Sequence, residues 1–179
     1  LIGCAQWAIT LGRFDIQYAT NILARYGSMP RQGHLKRALR IFGYLKHNAK
    51  ARIEFNTEPL DLDWVKFEDH DWIDLYPDAE EELPDDMLEP LGKPVRITVY
   101  LDADHAHDVV TRRSVTGILV FLNNTPIRWI SKRQRTVETS TYGSEMVAAK
   151  VATELVMEIR MHKEEAHEKL NTSCLVVFQ

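Results

Sequence analysis

Ile97-Thr-Val-Tyr-Leu-Asp-Ala-Asp-His-Ala-His-Asp108 decides the fold. From Ile97 to Leu101 every second residue is a large aliphatic one, and the chain then switches to three carboxylates and two imidazoles between Asp102 and Asp108. In a strand successive side chains alternate sides. Ile97, Val99 and Leu101 therefore share one face, and Asp102 and Asp104 project together. Two carboxylates on one face repel each other unless a cation or a substrate group joins them. The strand end is where chemistry is expected.

Working outward, Val95–Leu101 reads as a first strand and Thr111-Arg-Arg-Ser-Val-Thr-Gly117 as a polar turn. Gly117-Ile-Leu-Val-Phe-Leu122 forms a second strand. Asn123-Asn-Thr-Pro126 has hairpin-turn chemistry, and Ile127-Arg-Trp-Ile-Ser131 alternates as a third strand. Short polar turns between three strands predict an antiparallel meander. Lys132-Arg-Gln-Arg135 follows as a basic turn. Thr139 to Glu145 leads into a long helix reaching to about Lys169, with a core stripe of Ala149, Ala152, Val156 and Ile159. Glu145 heads that stripe, either as a first-turn acid favoured by the helix dipole or as an inward-facing functional group. Cys174-Leu-Val-Val-Phe178 reads as a buried strand reached through a helical crossover, and so parallel to its partner. The expectation is an α/β mixed sheet: three antiparallel strands, one long helix and one parallel strand.

Residues 1–48 read as helical. Ile2, Ala5 and Ile9 recur at helical spacing and Gly12 stops the first helix. A second helix, with Asp15 in its first turn, carries Ile16, Ala19, Ile22, Leu23 and Tyr26 until Gly27-Ser-Met-Pro30 breaks it. A third, from about Gly33 to His47, buries Leu35, Ala38, Leu39, Phe42 and Leu45 and presents Lys36, Arg37, Arg40 and Lys46. Ala51-Arg-Ile-Glu-Phe55 alternates as a short strand. These patterns divide the chain into a helical region at 1–56, an acidic insertion or linker at 57–94 and an α/β region at 95–179.

Charge is unevenly spread. Residues 57–94 hold 14 of the 26 acids and only Lys66 and Lys93 among the bases, so the remainder carries a formal charge of +8. A basic body is compatible with a polyanionic partner. The aromatic residues of the insertion suggest a hairpin around Leu62–Phe67 and Trp72–Tyr76. No apolar run approaches the roughly 20 residues of a membrane span. Leu1-Ile-Gly-Cys-Ala-Gln-Trp7 has neither an initiator Met nor a basic lead-in to a secretory signal, which predicts an internal cut from a longer polypeptide that is not secreted. Cys4 and Cys174 are expected to be buried free thiols.

An acid at the end of the first strand and another at the start of the packed helix can converge. Such carboxylates suit hard divalent cations, and Mg²⁺ takes one or two of them together with phosphate oxygens. Two such ions, roughly 3.5–4 Å apart, activate water and stabilise the leaving oxygen in phosphodiester hydrolysis. Arg112, Arg113, Lys132, Arg133 and Arg135 fall on connecting turns, where they could neutralise nucleic-acid phosphates.

Tyr-Leu-Asp-Ala-Asp-His-Ala-His-Asp108, followed by Thr111-Arg-Arg-Ser-Val-Thr-Gly117, resembles the start of the ribonuclease H domain of copia-type retrotransposon Pol polyproteins. Pro126-Ile-Arg-Trp-Ile-Ser-Lys-Arg-Gln-Arg-Thr-Val137 resembles that family's P-I-S-W-S-S-K-K-Q-x-T-V block, and Ser140-Thr-Tyr-Gly-Ser-Glu-Met-Val-Ala-Ala149 its helix start. Upstream, Leu1-Ile-Gly-Cys4, Gly12-Arg-Phe-Asp-Ile16 and His34-Leu-Lys-Arg-Ala-Leu-Arg-Ile-Phe-Gly-Tyr-Leu-Lys46 are similar to the end of its reverse transcriptase region.

The resemblance implies a ribonuclease H-like fold and Mg²⁺- or Mn²⁺-dependent hydrolysis of RNA in RNA–DNA hybrids, with two ions in the parent domain. It implies a hybrid or other nucleic acid and the remainder of the Pol polyprotein as partners, no membrane, and a place in cytoplasmic virus-like particles or the nucleus. It assigns Asp102 and Glu145 as metal ligands and catalytic carboxylates, and Asp104 as a supporting residue. His105 and His107 stand where the family has Trp and Gly, as surface or hydrogen-bonding histidines. The family's third and fourth carboxylates have no assignable counterpart, so this chain is expected to be weak or inactive. A non-catalytic nucleic-acid-binding module and a degenerate relic are the alternatives.

Overall fold

The computed structural model describes residues 1–62, 75, 95–165 and 172–178, with residues 162–165 and 172–178 described by their backbone alone. In chain order the elements are α1 (Ile2–Thr10), a 3-10 turn (Phe14–Ile16), α2 (Gln17–Ala24), α3 (Gln32–His47), β1 (Val95–Asp104), β2 (Val115–Leu122), β3 (Thr125–Arg133), α4 (Thr141–Glu165) and β4 (Thr172–Phe178). The strands form one sheet in the order β3-β2-β1-β4. β1 and β3 run antiparallel to β2, and β4 runs parallel to β1. The class is α/β, with the parallel strand where the sequence predicts one.

β2 begins at Val115, two residues earlier than expected, and β3 extends to Arg133. The Leu122–Thr125 pair closes the hairpin around Asn123 and Asn124 alone. Asn123 can hold this turn because Asn tolerates its left-handed φ of +51°. Its amide is also bonded at both ends, since Nδ2 donates to the Thr57 carbonyl at 2.7 Å and Oδ1 accepts from the Arg96 N–H at 2.8 Å. The longer ladder places Lys132 and Arg133 in a strand, opposite Thr116 and Val115, instead of in a turn.

α4 covers one face of the sheet. Ile97, Val99, Leu101, Ala103, Ile118 and Val120 meet Ala148, Ala152, Leu155 and Val156 of the helix. Ala148 and Ala152 are fully buried, and their small side chains let the helix lie close to the strands. The stripe is rotated slightly from the expected one, leaving Ala149 and Ile159 at its margin.

The first three helices build a second core from Ala5, Ile9, Ile16, Leu23, Ala38 and Ile41. Asp15 lies in the 3-10 turn that precedes α2, so the expected second helix starts later. On α3 the buried line runs through Ala38 and Ile41, whereas Leu35 and Leu39 are 51% and 54% exposed. Among the described elements α3 packs mainly on α2 and, more narrowly, on α1, a contact too narrow to cover the broad predicted stripe. Ala51–Phe55 is not a strand. Ile53 instead packs against Gly12, where a Cβ would stand 2.9 Å from its Cδ1, and Phe55 is 88% exposed. Gly12 also has φ +107°, a conformation that suits glycine.

The helical unit docks through α2 on the open edge of β3. Gln17 Nε2 donates to the Trp129 carbonyl at 3.4 Å and Asn21 Nδ2 to the Ser131 carbonyl at 2.6 Å, while Phe14 packs on Trp129. These amides occupy backbone acceptors that an edge strand otherwise leaves open.

Cys4 is an exposed free thiol, not a buried one, because it lies off the Ala5–Ile9 stripe of α1. The side chain of Cys174 and the hairpin expected within 62–76 lie outside the described residues, as does the helix end expected near Lys169. Among the described residues no helix is long and apolar enough to cross a membrane.

Candidate functional site

Because Leu101 and Ala103 face α4, Asp102 and Asp104 project from the opposite side of β1. They line a cleft of about 350 Å³ whose walls include Tyr18, Tyr100 and Trp129. Gly117 stands directly across the ladder from Asp102 and lines the same cleft, so no side chain fills the space beside that carboxylate.

Glu145 approaches the strand end from the helix side. Its Oε1 accepts from the Ala103 N–H at 3.3 Å, and its Oε2 is buried with no hydrogen-bond partner. The first turn of α4 carries no acid. Glu145 sits further in, so the helix-dipole explanation for it does not apply. Gln134 fixes the helix start. It is buried, and its Nε2 donates to Thr116 Oγ1 at 3.0 Å and to the Ser144 carbonyl at 2.9 Å, tying β2, the end of β3 and α4 together beside Glu145.

Asp102 and Glu145 thus address neighbouring residues of one strand end from its two faces. An orphaned buried oxygen such as Glu145 Oε2 is the kind of atom a cation satisfies. Among the described residues, however, no group of three or more His, Cys, Asp or Glu could hold a metal ion. The described arrangement does not fit a two-ion centre.

The other strand-end residues are engaged with one another. Asp104 Oδ2 lies 2.5 Å from His107 Nδ1, and His107 Nε2 lies 3.0 Å from the Tyr18 hydroxyl. Burial, and then the charge of Asp104, push the Tyr18 phenol above its ordinary pKa, which keeps it a proton donor. Asp108 organises the β1–β2 loop. Its Oδ1 accepts from the Val110 and Thr111 N–H groups at 3.1 Å each, and its Oδ2 meets Arg133 at 2.8 Å and Arg25 at 3.7 Å. The Thr111 amide, followed by Arg133, holds the Asp108 carboxyl far below the usual carboxylate range.

The predicted phosphate-binding residues separate into three groups. Arg112, exposed and at φ +56°, and Arg113 lie on the β1–β2 loop. Lys132 and Arg135 are exposed and line a groove of about 470 Å³ between β3 and α4, joined there by Lys150. Arg133 lines that groove as well, but its guanidinium is committed to Asp108. Sequence reasoning missed Tyr18, Asp108 and Lys150. Asp108 alone carried a local signal, since an Asp before a Val-Val-Thr turn can accept the amides two and three residues on.

Similarity to known proteins is low in identity and broad in extent. The chain is 26% identical over 153 residues to secreted RxLR effector protein 161 of Plasmopara viticola, covering 86% of this chain and 84% of that protein. It is 26% identical over 145 residues to the retrovirus-related Pol polyprotein from transposon RE1 of Arabidopsis thaliana, covering 81% of this chain and 8% of the polyprotein. To the putative transposon Ty5-1 protein of Saccharomyces cerevisiae it is 24% identical over 162 residues, 89% of this chain and 40% of that protein. The chain therefore spans less than half the length of these two transposon proteins. No family model and no solved structure matches. The likenesses to Pol polyproteins support a retrotransposon-derived chain.

Proposed function

We propose that this retrotransposon-derived chain corresponds to the end of a copia-type reverse transcriptase region followed by a ribonuclease H-type region. The parent activity is divalent-metal-dependent hydrolysis of RNA in RNA–DNA hybrids, with Mg²⁺ or Mn²⁺ as the ion and the rest of a Pol polyprotein as partner. Its setting would be a cytoplasmic virus-like particle or the nucleus. The observation that carries this reading is the Glu145 carboxylate, held at the Ala103 amide beside Asp102 with one buried oxygen unused.

The same geometry argues that the chain alone cleaves weakly or not at all. Asp102 and Glu145 are two carboxylates, the described residues bring no group of three or more His, Cys, Asp or Glu together, and two ions need more ligands than these supply. Binding is the property expected to survive. The test is titration of a labelled RNA–DNA hybrid across a salt series, with cleavage followed in Mg²⁺ and in Mn²⁺. Expected are binding that weakens steeply with salt and little hydrolysis. Robust cleavage abolished by Asp102→Asn would overturn the weak-activity reading, and absence of binding at low salt would overturn the nucleic-acid reading altogether.

A non-catalytic nucleic-acid-binding module is the second reading. It is favoured by the exposed Lys132 and Arg135 of the β3–α4 groove together with the lack, among the described residues, of a group of three His, Cys, Asp or Glu able to hold a metal. Salt-sensitive hybrid binding with no cleavage in either ion selects it.

A further inference from the structure

We infer that Tyr18 and His107 are positioning residues that engage Asp104 and leave Asp102 as the uncommitted carboxylate of the cleft. Asp102 and Asp104 project from the same face of β1 and line the same cleft, so strand geometry alone gives them equal standing. Their partners distinguish them. Asp104 is 49% exposed on its side chain, yet its Oδ2 is 2.5 Å from His107 Nδ1. The Asp102 carboxylate, by contrast, has no hydrogen-bond or ion-pair partner among the described residues. The Tyr18 hydroxyl lies against the same imidazole, 3.0 Å from Nε2 and 3.4 Å from Nδ1, with the two rings edge to face at 5.6 Å.

These contacts fix the chemistry of the ring. A carboxylate can only accept, so the neutral imidazole presents Nδ1–H to Asp104. Nε2 is then the ring's acceptor, and the Tyr18 hydroxyl, nearer to Nε2 than to Nδ1, is the donor placed to reach it. The chain of bonds runs from α2, through one histidine, to the strand end that carries both aspartates. It ties the helical unit to the cleft by side chains 89 residues apart in sequence. Arg25 adds a second tie from the end of α2 to Asp108 of the same loop. Removing the imidazole frees Asp104 and gives the cleft two equivalent carboxylates.

The assignment stands or falls independently of hybrid cleavage, and two measurements on the full chain test it. The first is nitrogen NMR of the neutral His107 ring in mildly alkaline buffer, which reports the tautomer directly. Nδ1–H is expected in the parent chain and in Tyr18→Phe, with the Nε2 signal displaced in the variant. In Asp104→Ala the ring should revert to predominantly Nε2–H. The second is the rate of carbodiimide coupling at each aspartate, mapped by mass spectrometry. Asp102 should label several-fold faster than Asp104 in the parent chain, and His107→Ala should bring Asp104 up to the rate of Asp102. An Nε2–H ring in the parent chain, or equal labelling of the two aspartates before the substitution, overturns the assignment. Amide spectra of each variant, compared with the parent, separate loss of the relay from loss of the fold.

Discussion

Glu145 holds an unusual position for a charged residue. One oxygen is bonded to the Ala103 amide and the other is buried without a partner. An unsatisfied buried polar atom costs on the order of 1–3 kcal/mol, and more when the group is charged. Residues retained at such expense are commonly functional, and their neutral isosteres stabilise the fold. Glu145→Gln keeps the acceptor for Ala103 and removes the buried charge. It is expected to raise unfolding stability by about 1 kcal/mol in urea titrations; a lower midpoint with unchanged slope would show that the carboxylate is structurally satisfied. Asp108 is the opposite case, a carboxylate with every bond made. Its pKa in the folded chain is depressed, so its contribution to stability is complete above the unfolded carboxyl value of roughly 3.9 and is lost as pH falls below it towards the folded value. Asp108→Asn should destabilise the chain at neutral pH and flatten the acid limb of its stability profile. A variant whose profile parallels the parent below about pH 4 would mean that Asp108 is not the linked group.

At the scale of elements, the amides of α2 guard the exposed edge of β3. Asn21 is the stronger cap at 2.6 Å, against 3.4 Å for Gln17. Asn21→Ala should cost about 1 kcal/mol, and by opening the edge it should promote concentration-dependent association, visible by light scattering or sedimentation. A variant that stays monomeric at the same loss of stability would show that the edge is protected by other means. α4 is held to the sheet by Ala148 and Ala152, both fully buried. Ala152→Leu should therefore overpack that contact by about 1–3 kcal/mol, measured by the same urea titrations. The sheet was legible in the sequence because alternation, the Asn123-Asn124 turn and the helical crossover before β4 are local signals. The docking of α2 was not, because Gln17 and Asn21 meet their acceptors more than a hundred residues away and a polar contact leaves no hydrophobic period. The face of α3 was misread for a related reason. Apolar spacing locates a stripe but not the width of the surface available to cover it, and Leu35 and Leu39 fall outside that surface. At the site, Asp102 and Glu145 are named from residue type and resemblance, whereas the bond of Glu145 to the Ala103 amide and the partners of Asp104 required the fold.

For the molecule as a whole, the formal charge of −4 conceals a body of +8 outside residues 57–94. The fold determines which of those positive charges are free to meet a polyanion. Arg133 is held by Asp108, so neutralising it should disturb the β1–β2 loop more than it weakens nucleic-acid binding. Lys132 and Arg135 are exposed along the β3–α4 groove, where Lys150 pairs with Glu154 at 3.8 Å, while Arg112 lies on the β1–β2 loop. If the groove carries the phosphate contacts, Lys132→Gln combined with Arg135→Gln should weaken hybrid binding at every sequence tested. It should also flatten the plot of log affinity against log salt by about one unit for each contact removed. Arg112→Gln should then leave the slope nearly unchanged. The reverse pattern would move the interface to the β1–β2 loop, next to Asp108 and the cleft. Equal, small effects from both sets would mean that the basic surface acts as a diffuse field and that no face of the sheet is a dedicated track.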